Sequence, residues 1–171
     1  KVQCNSVFPL DEQSPLRTSE GELITQGLRT AAFAESVVVD SSQIAPIPKE
    51  IPLDSASVLS CGVITGFGAV VNTAKIQSGC NVVVMGTGGV GLNSVQGASI
   101  AGAESIIALD LSDEKLEAAK KFGATHAVNV SREKSTKAVY GITEGRGADY
   151  VFVTVGDKNA IEQGFKILGR G

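Results

Sequence analysis

The sequence has little of what marks several broad classes of protein. It contains one histidine, three cysteines and no block of lysines and arginines among its 15 basic and 18 acidic residues. A net charge of -3 with no basic cluster offers no counterion release to a phosphate backbone, so nucleic acid is not expected as a partner. Cys4, Cys61 and Cys80 are odd in number and widely spaced. They make no disulfide framework and fit a reducing compartment, so a cytoplasmic protein is expected. The start, Lys1-Val2-Gln3-Cys4, has neither an apolar signal core nor an initiating Met, and the chain reads as an internal segment. From Ile76 to Ala103 charge is missing altogether. That run is long enough to cross a bilayer, yet it is broken by glycines from Gly79 to Gly102 and carries Gln77, Asn81, Asn93 and Gln96. A strand, a turn and a buried helix explain the same hydropathy, so no membrane is expected as a partner.

What the chain has is apolar mass and glycine. Hydrophobic residues are 43% and charged residues 19% of 171, which suits a packed core rather than disorder. Glycine, at 20 of 171 residues, exceeds the typical share of about 7%. The glycines gather between Gly62 and Gly102, where tight turns and close backbone approach to a ligand are expected.

Up to about Asp54 the chain is punctuated by Pro46, Pro48 and Pro52, with a strand expected at Phe33 to Val39. Ile44 to Pro48 reads as extended, because a residue preceding proline avoids the helical region. Asp54 reads as the N-cap of a helix over about Ser55 to Leu59. From Asn81 the pattern is regular. Apolar strands are expected at Val82–Met85, Ile106–Leu109, Ala127–Val130 and Tyr150–Val155. Helices are expected between them: to about Ala101, over Asp113–Phe122 capped by Ser112, over Glu133–Tyr140, and from Asp157 to Leu168 with Gly169 as terminator. Alternation at this spacing predicts a doubly wound parallel α/β sheet, the Rossmann architecture, with no strand following Gly171 to complete its C-terminal half.

Gly86-Thr87-Gly88-Gly89-Val90-Gly91 matches G-x-G-x-x-G, with an apolar strand running into it and a helix leaving it. In a dinucleotide site the first glycine makes the turn, the second admits the pyrophosphate and the third lets helix and strand pack closely. The helix N-terminus then supplies free N–H groups to the phosphates. Asp110 ends the next strand, 19 residues after Gly91. A carboxylate there accepts hydrogen bonds from the adenosine ribose and repels a 2′-phosphate, which points to NAD. No arginine follows it, and Lys115 stands one turn into the next helix, within reach of the same ribose. A methyltransferase binding S-adenosylmethionine also places a glycine loop after its first strand, but the glycine spacing here fits the dinucleotide form better.

Upstream of the loop, Cys61-Gly-x-x-Thr65-Gly-x-Gly68 is followed by Val71-Asn72-Thr73-Ala74-Lys75. Downstream are Phe122-Gly123-Ala124-Thr125 and Gly147-Ala148-Asp149-Tyr150. As a set, together with Phe33-Ala34-Glu35 and Val37 to Val39, these resemble the zinc-dependent medium-chain alcohol dehydrogenases. The resemblance is closest to the glutathione-dependent formaldehyde dehydrogenase, or class III-like, branch. It implies a remnant of a β-rich GroES-like catalytic domain over 1–58 and an NAD-binding Rossmann domain over 59–171. It implies Cys61 as a catalytic zinc ligand, in a family whose site holds two cysteines and a histidine and leaves one position open. Thr65 and Val90 then line the nicotinamide, and Val153 to Gly156, with Thr154, passes beneath the cofactor.

The activity implied is zinc- and NAD-dependent oxidation of a primary alcohol or reduction of an aldehyde, an S-hydroxymethyl thiol adduct being one such alcohol. A homodimer or homotetramer is implied as well. Two other readings stay open: a zinc-free reductase of the same superfamily, such as a quinone oxidoreductase, and a module that only binds NAD. The chain departs from the family in lacking the other catalytic zinc ligands and the structural-zinc cysteine cluster. Cys4 has no spaced partners for the latter, and His126 stands where the family has no ligand. The 171 residues by themselves are therefore expected to be catalytically silent, and unpaired sheet edges to favour association.

Overall fold

The computed structural model describes residues 16–26 and 30–169. The chain divides into two compact units, Lys1–Glu50 and Ile51–Gly171. In the first, the described backbone carries an isolated antiparallel bridge between Arg17 and Leu23 and a single 3-10 turn at Ser41–Gln43. Asp40 caps that turn by accepting from the Ser42 N–H at 2.9 Å. The strand expected at Phe33 to Val39 does not form. β-branched residues favour a strand only where a neighbouring ladder takes their backbone groups. No described segment pairs with this one, and Phe33 and Val38 are exposed.

The second unit opens with a helical stretch from Leu53 to Ala74. It consists of α1 (Leu53–Ala56), a π-helical turn (Leu59–Val63), α2 (Ile64–Gly68) and a second π-helical turn (Ala69–Ala74). Lys75, in the left-handed region at φ 49°, closes it. Asp54 is not its N-cap. Pro52 holds that position, and Asp54 lies within the first turn, where its carboxylate accepts from the Ser55 N–H at 2.7 Å. There it faces the positive end of the helix dipole. This 22-residue stretch, with mean hydropathy 1.5, is long and apolar enough to cross a bilayer by length and composition. Of its most apolar window 17% is buried, and Gly66 and Val70 pack against the helix after the glycine loop.

Four described strands form one parallel sheet: β1 (Asn81–Met85), β2 (Ser105–Asp110), β3 (His126–Asn129) and β4 (Tyr150–Val153), in the order β3-β2-β1-β4. Val83 pairs with Ile107 and Val151, and Leu109 with Val128. The helices between them are α3 (Gly89–Ile100), α4 (Asp113–Lys121), α5 (Ser135–Ile142) and α6 (Lys158–Ile167). The uncharged run from Ile76 to Ala103 thus holds β1, the glycine loop and α3. Side chains alternate across the central strands. Val82, Val84, Ile106 and Ala108 share one core with Val95 and Leu116, from α3 and α4. Val83, Met85, Ile107 and Leu109 share another with Val139 and Ile167, from α5 and α6. Each fully buried Val, Ile or Leu contributes about 1.5–3 kcal/mol relative to exposure. A sheet covered on both faces is why these strands read as continuous apolar runs.

Ser112 caps α4 and Asp157 caps α6 as expected. The end of α6 differs. Leu168 leaves the helix in extended conformation and makes an isolated parallel bridge to Ala148, just ahead of β4, and no glycine terminator is used. β4 ends at Val153, two residues early; the Thr154 N–H still donates to Met85 O, and its hydroxyl meets the glycine loop. The fold is an α/β, Rossmann-like sheet with helices on both faces.

Candidate functional site

The carboxyl ends of β1, β2 and β4 meet at the glycine loop. Gly86 has φ +88°, which an L side chain rarely adopts, and a Cβ there would strike Val155. A Cβ on Gly91 would collide with the Gly86 carbonyl oxygen and lie 2.9 Å from the Thr154 hydroxyl. Helix and strand can therefore approach this closely only through glycine. Gly88 and Gly89, by contrast, have nothing within 4 Å of an added Cβ and are exposed. The space above the loop is open, and the first turn of α3 carries no side-chain cap. Its N–H groups and the dipole behind them face that space, the arrangement that accepts phosphate oxygens.

Asp110 stands beside the loop with both carboxylate oxygens engaged. Oδ2 accepts from the Thr87 N–H at 2.7 Å and from the Thr87 hydroxyl at 3.0 Å. Oδ1 accepts from the N–H groups of Leu111 at 2.8 Å and Ser112 at 3.0 Å. Burial pushes this carboxyl's pKa up, but the hydrogen bonds from Thr87, Ser112 and Leu111 outweigh it and hold the group below the ordinary aspartate value. The side chain is therefore a fixed anion at the end of β2. It lines a cleft of about 620 Å³ together with Gly86, Leu109, Lys115, Asn159 and Lys166. Lys115, on the first turn of α4, is exposed.

Thr154 follows β4. Its hydroxyl lies 2.8 Å from the Gly86 carbonyl oxygen and 3.1 Å from that of Met85, and its N–H donates to Met85 O at 2.9 Å. It pins the loop from below. Val90 is half-buried on α3, and a Cβ on Gly66, the residue after Thr65, would strike its carbonyl oxygen. Ser94, buried on α3, donates to Gly66 O at 3.2 Å. The segment bearing Cys61 and Thr65 is thus docked onto the helix that leaves the glycine loop, while Cys61 and Thr65 themselves are exposed.

The metal ligands are a different matter. Among the described residues no three His, Cys, Asp or Glu side chains gather to hold a metal ion. Cys61 therefore has no described set of co-ligands. Cys80 is buried, and burial followed by the negative charge of Asp149 pushes its thiol pKa up, which makes it a poor thiolate. His126 opens β3 and its Nδ1 lies 2.9 Å from the Thr125 hydroxyl. Cys4 falls outside the described residues.

The G-x-G-x-x-G pattern assigns no role to Thr87, which holds Asp110 through both its N–H and its hydroxyl; the signal is a hydroxyl residue one step from a glycine whose turn aims it at the end of β2. Arg132 likewise carries no sequence signal, and its guanidinium meets Asp113 at 2.6 Å. Asp113 also accepts from Asn129 at 2.7 Å, and these two hydrogen bonds lower its pKa.

Known proteins resemble this chain in sequence and fold. Residues 89–171 match the family model for zinc-binding dehydrogenases. The chain is 38% identical over 155 residues to alcohol dehydrogenase-like 1 of Arabidopsis thaliana, covering 89% of this chain and 40% of that one. It is 35% identical to an alcohol dehydrogenase class-3 of Caenorhabditis elegans, covering 99% of this chain and 45% of the relative. A crystal structure of an alcohol dehydrogenase zinc-binding domain protein from Burkholderia ambifaria superposes with a TM-score of 0.84 at 35% identity, over 90% of this chain and 41% of that one. Benzyl alcohol dehydrogenase from Acinetobacter calcoaceticus superposes at 0.83 and 30% identity, over 89% and 43%. The chain spans less than half the length of these relatives. The matches support the zinc-type medium-chain dehydrogenases, without singling out the class III branch.

Proposed function

We infer that this chain, an alcohol dehydrogenase homologue of the medium-chain zinc type, is the cofactor-binding part of an NAD-dependent alcohol oxidoreductase. The observation that carries the reading is the fixed carboxylate of Asp110 beside an open glycine loop. The residues fit the cofactor. Gly88, Gly89 and the start of α3 leave room and N–H groups for a pyrophosphate. Asp110 takes the hydroxyls of the adenosine ribose and repels a 2′-phosphate, and Lys115 stands at the same cleft. Thr65, Val90 and Thr154 lie toward the nicotinamide end in this reading. Bound NAD supplies a hydride acceptor at the nicotinamide ring. The chain's own part is to hold it, orient it and select it against NADP.

The substrate class proposed is a primary alcohol or its aldehyde, including an S-hydroxymethyl thiol adduct. Zinc is treated differently from NAD. Cys61 is proposed as one ligand, but the described residues supply no others, so they do not make a zinc site and no reaction step is assigned to one on them. The remainder of the reading, a GroES-like catalytic part ahead of residue 59, a homodimeric or homotetrameric assembly and a cytoplasmic location, is proposed on the family likeness.

Calorimetric titration with NAD and NADP tests this function. NAD is expected to bind at least about tenfold more tightly, the factor that one lost charge-assisted hydrogen bond implies. Equal affinities, or no binding of either, would overturn it.

A further inference from the structure

The Asp110 carboxylate has a crowding problem. An ionised carboxylate offers about four lone-pair sites on its two oxygens. All four described donors sit on it: three backbone N–H groups, from Thr87, Leu111 and Ser112, and one hydroxyl, from Thr87. A ribose hydroxyl that binds Asp110 must take a place already filled. The three N–H groups belong to the glycine loop and to the turn between β2 and α4, and none can withdraw without moving the backbone. The Thr87 hydroxyl can withdraw, by rotation about its own side-chain bonds or by turning its proton elsewhere.

We propose that the Thr87 hydroxyl is a stand-in for a ribose hydroxyl: it fills Oδ2 of Asp110 while the site is free and is displaced when the nucleotide binds. This rests on the NAD reading above. The geometry gives the displacement a cost. Thr87 is 1% exposed, so water does not replace the bond its hydroxyl loses. The device therefore weakens cofactor binding while keeping the carboxylate satisfied, ionised and aimed. Thr87 acts as an affinity-setting residue through Asp110 and takes no part in hydride transfer.

Thr87→Val tests the inference, since it keeps the shape and the N–H donor but removes the hydroxyl. With the competitor gone, NAD is expected to bind about 2- to 10-fold more tightly, the range of one net hydrogen bond. Thr87→Ser, which restores a hydroxyl, should return the affinity toward the starting value. In an Asp110→Ala background Thr87→Val should change nothing, because there is no carboxylate to compete for; a purely structural role for Thr87 would still show. Thermal melting checks that each variant folds, and Thr87→Ala carries the same expectation if valine is not tolerated. Unchanged or weaker NAD binding in both hydroxyl-free variants, or the same gain without Asp110, would overturn the inference while leaving the NAD reading standing. Failure of the unsubstituted protein to bind NAD would overturn both.

Discussion

Two regions of the same unit carry the proposed chemistry, and they are built differently. The glycine loop, Asp110 and Thr154 are tied to one another by short hydrogen bonds on top of a buried sheet. The helical stretch from Leu53 to Ala74, which carries Cys61 and Thr65, grips α3 through Gly66, Ser94 and Val70 but leaves Leu53, Val58 and Ile64 exposed. In the first region the acid is fully engaged and only the N–H groups at the start of α3 stand open. The second holds one candidate metal ligand with no described set of co-ligands. Nucleotide recognition is thus local to a strand-loop-helix-strand unit, whereas the metal chemistry proposed depends on residues the described part does not supply.

Breaking the first region should cost most. Gly91→Val drives a side chain into the Gly86 carbonyl and the Thr154 hydroxyl, so it should remove NAD binding and lower stability by about 1–3 kcal/mol, as overpacking does. Calorimetry and thermal melting read both effects. Asp110→Gly comes next. It should weaken NAD by about 10- to 100-fold, the worth of lost hydrogen bonds to a charged group, and bring the NAD and NADP affinities together.

The sheet and its helices are legible in the sequence because they rest on local rules, and the loop-plus-acid pair because a fixed strand-loop-helix-strand spacing carries it. Val82 to Met85 is apolar throughout because the strand is covered on both faces, and Ser112 and Asp157 cap helices by contacts within two or three residues. What the sequence does not disclose depends on partners distant along the chain. Phe33 to Val39 has the composition of a strand and no described neighbour to pair with. Thr87 finds Asp110 across 23 residues and Arg132 finds Asp113 across 19, and the fingerprint that places the acid at the end of β2 assigns no partner to either of these side chains.

A smaller effect sharpens the comparison through pH. Asp110 has a lowered pKa in the folded chain, so its contribution is fully present above the unfolded value of about 3.9 and is lost as the pH falls through the lower folded value. The stability gap between the protein and Asp110→Asn should hold constant from neutral pH to about 5 and close only in strong acid. A gap that already closes near neutrality in denaturant titrations would mean that Asp110 is not held as a low-pKa anion. The smallest effect is expected at Cys61. It is exposed, so Cys61→Ser should alter stability by no more than about 0.5 kcal/mol and leave NAD affinity unchanged, while lowering bound zinc and alcohol oxidation in a full-length enzyme that carries the other ligands. Undiminished zinc by elemental analysis would remove Cys61 from the metal site.

The most direct test of the central claim is a crystal structure of the protein with NAD bound. The account predicts the pyrophosphate over Gly88, Gly89 and the first turn of α3, with an adenosine ribose hydroxyl on the Asp110 carboxylate. A dinucleotide bound elsewhere, or one whose ribose makes no contact with Asp110, would contradict it.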